Sequence, residues 1–103
     1  MVSRARARKV RVLVPASVLA QAWRGGPRSA PLAKVLDGWE VDVLTERRAK
    51  EVGVRLGLRD VSDIADAHVV CCALEHRAVV ATSDAADIRA LLDPRESLSL
   101  IPV

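Results

Sequence analysis

The chain has no phenylalanine and no tyrosine, and Trp23 and Trp39 are its only large aromatic residues. Valine, leucine and alanine must therefore fill the core. No stretch approaches the ~20 consecutive apolar residues of a membrane-spanning helix. Cysteine is confined to the adjacent pair Cys71 and Cys72. Metal and redox motifs space their cysteines, so the pair matches none of them. It reads instead as two reduced core residues of a cytosolic protein, each behaving as a small hydrophobe. The sequence also lacks a G-x-x-x-x-G-K phosphate loop, and no Ser/His/Asp set has motif context. It has no internal repeat, no low-complexity segment and no linker.

Acid is missing from residues 1–36, which carry eight basic side chains. Residues 37–103 carry eight basic and thirteen acidic ones, so a net charge of +3 hides a division into a basic start and an acidic remainder. The basic end suits an anionic partner, nucleic acid above all. The acidic remainder suits divalent cations. An ordinary solvated surface accounts for the same pattern. "MVSRARARKVRVLVPASVLA" imitates a secretory leader, but Arg11 and Pro15 leave its apolar middle short and "VRVLV" has the composition of a strand.

At 103 residues, half of them apolar, the chain has the size of one domain with one modest core. Residues 1–9 form a basic arm or helix remnant, and residues 10–103 form the domain. Periodicity predicts strands at 10–14, 39–44, 77–82 and 97–103. Helices are predicted between them. Pro15 can open the first, and Gly38 stops the second. Thr45 caps a third, with Ala49, Val52 and Leu56 as its apolar stripe. Ser62 or Asp63 caps a fourth at about 63–77, apolar on nearly every side and hence central. Strand–helix alternation of this kind predicts an open α/β sheet, mostly parallel, with helices on both faces. Ligands in such sheets collect at the carboxyl ends of the strands.

Five acids gather at two of those places. "DVSDIADAHVV" holds Asp60, Asp63 and Asp66, and "ATSDAADIRAL" holds Thr82, Asp84 and Asp87. Acids at helix starts serve as caps or complement the helix dipole. Carboxylates converging on one edge also repel one another unless a cation joins them. Oxygen donors suit Mg²⁺ or Mn²⁺, whose chemistry is metal-assisted phosphodiester hydrolysis. Spacing alone leaves both readings open.

The blocks "VLVPASVLAQAWRGG", "DIADAHVVCCALEHRAVVAT" and "TSDAADIRAL" resemble, in order and spacing, successive parts of a PIN domain, the nuclease fold of VapC-type toxins. The resemblance implies a three-layer α/β sandwich, an acidic site holding Mg²⁺ or Mn²⁺, and RNA cleavage. Carried over by position, it implies that Asp66, Asp84 and Thr82 are catalytic. Asp66, Asp84 and Asp87 would hold the metal, with Asp63 and Gln21 in support.

The chain departs from the family pattern in two ways. No strand ending in Asp precedes residue 10, so the family's central strand, between those of 10–14 and 78–82, is missing. Gln21 stands where the early helix usually offers a glutamate. Weak activity or none is the expectation. Strands bared by the missing one expose unpaired backbone groups, and an edge-to-edge homodimer would cover them. Further partners implied are RNA and an antitoxin protein, with a cytoplasmic location and no membrane. In "WRGGPR" Trp23 would stack on a base, or pack in the core, while Arg24 and Arg28, with Arg6 and Arg8 of the arm, would meet phosphates. The alternative function is a non-catalytic module that binds RNA or an antitoxin-like protein. His68, two residues past Asp66, reads as a core or boundary residue, and His76 as a cation suited to a helix end.

Overall fold

The computed structural model describes residues 11–103. The basic arm at 1–9, with Arg6 and Arg8, lies outside the described residues. The order of elements is β1 (Leu13–Pro15), α1 (Ala16–Ala22), a 3₁₀ turn (Gly26–Ser29), α2 (Ala30–Leu36), β2 (Glu40–Asp42), α3 (Glu46–Arg59), α4 (Ile64–His76), β3 (Val80–Thr82), α5 (Ala85–Arg89) and β4 (Leu100–Pro102). Strands and helices alternate as the sequence predicts, but most are shorter. Pro15 closes β1 and is also the N-cap residue of α1.

The fold is mixed α/β with parallel strand pairing. Leu13, Val14 and Pro15 pair with Glu40, Val41 and Asp42, and Val80, Ala81 and Thr82 pair with Leu100, Ile101 and Pro102. One continuous sheet was expected; among the described residues the strands instead form two separate pairs, β1–β2 and β3–β4. Each pair joins strands that are successive in the chain, the favoured neighbours. The strands β2 and β3, separated by α3 and α4, do not pair.

The helix α4 lies at the centre. Ala65, Ala67, His68, Val70, Cys71, Cys72 and Ala73 are all buried on it. It packs against α1, α3, α5 and β1. Small side chains on several faces let those neighbours approach closely. The core unites Ala67, Val70 and Cys71 of α4 with Val52 of α3 and with Ile88 and Leu91 of the α5 region. Both cysteines are free thiols.

Two side-chain oxygens set the starts of the long helices. Thr45 Oγ1 accepts the Arg48 N–H at 3.1 Å, and Asp63 Oδ1 accepts the Asp66 N–H at 2.9 Å. The stripe on α3 differs from expectation at one position. Ala49 is exposed, and its neighbour Arg48 is buried in its place, with only 1% of its surface accessible. Carboxylates explain the exchange. Arg48 Nε bonds Asp42 at 3.0 Å, Nη1 bonds Glu51 at 3.0 Å, and Nη2 lies 3.1 Å from Glu75.

A second arginine ties the chain's last segment to α3. Arg55 grips Glu96 in a two-point fork at 2.6 and 2.9 Å, and Nη1 also donates to the Leu91 carbonyl at 2.8 Å. The Arg55 hydrogen bonds, against an opposing contribution from burial, hold the Glu96 carboxyl down at about 2. Its unfolded value is near 4.5, so the fork stabilises the fold fully above that pH and is lost as pH falls through about 2. The stabilisation is about 3 kcal/mol at most. Urea midpoints measured from pH 6 down to pH 2 should fall for the parent, and Glu96→Gln should flatten that fall while lowering the plateau.

Candidate metal centre

The site predicted from the sequence is built on two helix starts. Asp66 is the third residue of α4, half-buried, and held by the Asp63 cap just described. The strand β3 ends at Thr82, whose Oγ1 accepts the Asp84 N–H at 2.9 Å and turns the chain into α5. The Asp84 carbonyl then accepts the N–H groups of Asp87 and Ile88 at 3.1 and 3.2 Å. Asp87 sits in the first turn of α5, and both Asp84 and Asp87 are exposed.

Capping and ligation, which spacing left open, separate here. Asp63 is a working cap. Asp84 occupies the N-cap position of α5 but makes no side-chain capping bond, so its carboxylate is not consumed by the helix. Thr82 orders the backbone that presents it.

Electrostatics links the two segments. The Asp66 carboxyl is raised above the usual carboxylate range, first by burial and then by the charges of Asp63, Asp87 and Asp84. Asp84 and Asp87, distant in sequence, thus act on Asp66 across the packing of α5 on α4. The arrangement is rich in oxygen and poor in counter-charge, which fits a hard divalent cation. The three carboxylates are not, however, drawn into one tight cluster. Among the described residues, the one trio of candidate donors lying within 4.8 Å of one another is elsewhere.

The outlying residues fall less favourably. Gln21 is exposed on α1, and its side chain makes no hydrogen bond among the described residues. Arg24 Nη1 folds back onto the Trp23 carbonyl at 3.0 Å, while Arg28 is exposed in the 3₁₀ turn. Trp23 is 43% exposed, so it does not take the core position that was one of its two expected places. The loop between α1 and α2 is ordered by Ser29 Oγ, which accepts the N–H groups of Arg24 and Gly25, both at 2.8 Å. The positive φ angles there, 78° at Gly25 and 58° at Gly26, are ones glycine adopts without strain.

A polar centre that the sequence did not announce surrounds Asp42, at the carboxyl end of β2. His68, fully buried, lies with Nε2 2.8 Å from Asp42 Oδ2 and Nδ1 2.9 Å from Ser17 Oγ. The Ser17 backbone N–H also faces Nδ1, at 3.5 Å, which assigns the ring proton to Nε2. Burial opposes the Asp42 charge, but the His68 and Arg48 hydrogen bonds outweigh it and hold that carboxyl below its usual range. Alternation in "WEVDVL" groups Asp42 with Glu40, on what reads as the solvent side. The signal available was its place at a strand's carboxyl end.

Comparison with protein-family models, curated proteins and solved structures returned no match.

Proposed function

We propose that this chain is a PIN-domain-like, metal-dependent ribonuclease of toxin–antitoxin type, with weak activity or none by itself. The observation that carries the reading is that the Asp66 carboxyl, raised first by burial, is raised further by the like charges of Asp63, Asp87 and Asp84. Such repulsion favours taking up a cation. Asp66, Asp84 and Asp87 would hold Mg²⁺ or Mn²⁺, and Thr82 keeps the Asp84 segment in place. Bound there, the ion supplies a water of lowered pKa and neutralises charge developing on phosphate. Arg24 and Arg28 lie on a loop suited to the RNA backbone.

The split sheet also supports this reading, since a PIN-like sheet without its middle strand would leave two parallel pairs. A homodimer belongs to the same proposal. Val41, Val43, Val79 and Ile101 are exposed on or beside the strands and offer apolar surface to a partner. No helix among the described residues is long and apolar enough to cross a membrane.

A second reading is a non-catalytic module that binds RNA or an antitoxin-like protein. The uncharged, exposed Gln21 and the spread of the three carboxylates favour it.

The two are separated by incubating the protein with RNA and Mg²⁺ or Mn²⁺. Asp66→Asn/Asp84→Asn should cut at least about 10- to 100-fold more slowly than its parent, the scale of loss when a metal site is impaired. Equal cutting by the two would remove the proposed site. RNA binding without metal-dependent cutting by the parent would leave the second reading.

A further inference from the structure

A different metal chemistry gathers on the other end of α4. Cys72 and His76 are four residues apart, so both project from one face of that helix. Asp42, at the end of β2, meets the same face. One donor atom from each of Asp42, Cys72 and His76 lies within 4.8 Å of the other two. We infer that these three side chains form a zinc site, separate from the acids at 66, 84 and 87.

The donor set selects the ion. Thiolate, imidazole and carboxylate together suit Zn²⁺, whereas Mg²⁺ and Ca²⁺ take oxygen ligands. Zinc binds sulfur at about 2.3 Å and nitrogen or oxygen at about 2.0–2.2 Å, so the donors would contract by about 1 Å. Their surroundings favour that movement. Cys72 is 4% exposed, and its thiol has no hydrogen-bond partner among the described residues. Asp42 Oδ2 is held by His68 at 2.8 Å and by Arg48 Nε at 3.0 Å, which orients the carboxylate as the groups behind a metal ligand do. Oδ1 faces His76 Nε2 at 3.9 Å. The Arg48 contact to Oδ1, at 3.3 Å, can open because Arg48 keeps Glu51, Glu75 and Oδ2. Glu75 Oε2 lies 3.4 Å from His76 Nε2.

Charge balance agrees. Zinc with one thiolate and one carboxylate is neutral, which suits a half-buried place. Burial, followed by the charge of Asp42, pushes the Cys72 thiol up to about 11. Uptake breaks the Cys72 S–H bond, forms Zn–S and releases that proton to solvent.

Cobalt reports the site directly. Titrating the full chain with CoCl₂ should give a thiolate-to-cobalt absorption band that saturates at one ion per chain and disappears when ZnCl₂ displaces it. Cys72→Ser and His76→Gln should each abolish or strongly weaken the band. Cys71→Ser should retain it, and so should Asp66→Asn/Asp84→Asn, whatever that variant does to RNA cleavage. A parent with no such band at millimolar cobalt would overturn the inference. So would a band that survives Cys72→Ser, or one that survives His76→Gln if the serine variant does not fold.

Discussion

Arg48→Ala should cost about 3–5 kcal/mol, the scale for leaving a buried charge without its partner. Domains of this size are stable by only about 5–15 kcal/mol in total. At about 4–8 °C per kcal/mol, the melting temperature should fall by 12 °C or more, and at the upper end the variant should be largely unfolded at room temperature. Three carboxylates converge on Arg48. Asp42 binds it at two nitrogens, Glu51 at a third, and Glu75 lies beside it. Burial works against the Arg48 charge, yet the Asp42 hydrogen bonds and the nearby carboxylates keep its pKa raised. Alanine removes the guanidinium joined to both Asp42 and Glu51; Asp42, 13% exposed, is left with little water to replace it, whereas Glu51, at 38%, stays open to solvent. Arg48→Lys should recover part of the loss, because a point charge cannot reproduce the fork. Arg48→Met/Asp42→Asn should lose less than the two single changes predict together, since neither partner is left charged alone. Urea denaturation in the presence of a chelator measures the parent, these variants and the single changes Arg48→Met and Asp42→Asn on equal terms. A loss below 1 kcal/mol for Arg48→Ala would show that the cluster is solvated and structurally dispensable.

Leu91→Ala should cost about 2–5 kcal/mol, and the size within that range reports how far the site can collapse. Leu91 is fully buried, in the chain just after α5, where it meets Ile88, Val52, Ala67, Val70 and Cys71. Its neighbours have little freedom to close a gap. Ala67 and Val70 belong to a helix packed on several sides, and the Leu91 carbonyl is bonded to Arg55. With no phenylalanine or tyrosine in the chain, no large flexible ring is at hand to swing in. Val54→Ala gives the contrast. Val54 is 63% exposed, and its truncation should stay within about 0.5 kcal/mol. Equal urea midpoints for the two variants would contradict the placement of the core.

The sequence carried the alternation of elements, the two long helices and their caps, because those follow from local rules. Thr45 and Asp63 announce helix starts by residue type and position, and the apolar surround of residues 64–73 marks a central helix before any contact is known. Sheet organisation was not legible. Whether two strands pair depends on residues far apart in the chain, and three-residue ladders carry too little pattern to decide it. The candidate acids were found as a set, but their individual states were not. Asp63 and Asp84 look alike in sequence, each at a helix start, and only one caps its helix. The Asp42 centre was missed for a related reason. Its members, Ser17, Asp42, Arg48, His68 and His76, lie on four elements, and each has an ordinary explanation when taken alone. An arginine inside the α3 stripe defied the periodic pattern because its partners outweighed it.

The divided sheet has a consequence for how the backbone is satisfied. Among the described residues, two ladders have four open borders where a single four-stranded arrangement would have two. The amide and carbonyl groups along those borders take their partners from outside the two ladders. Burial, by contrast, concentrates in the two long helices, above all in α4.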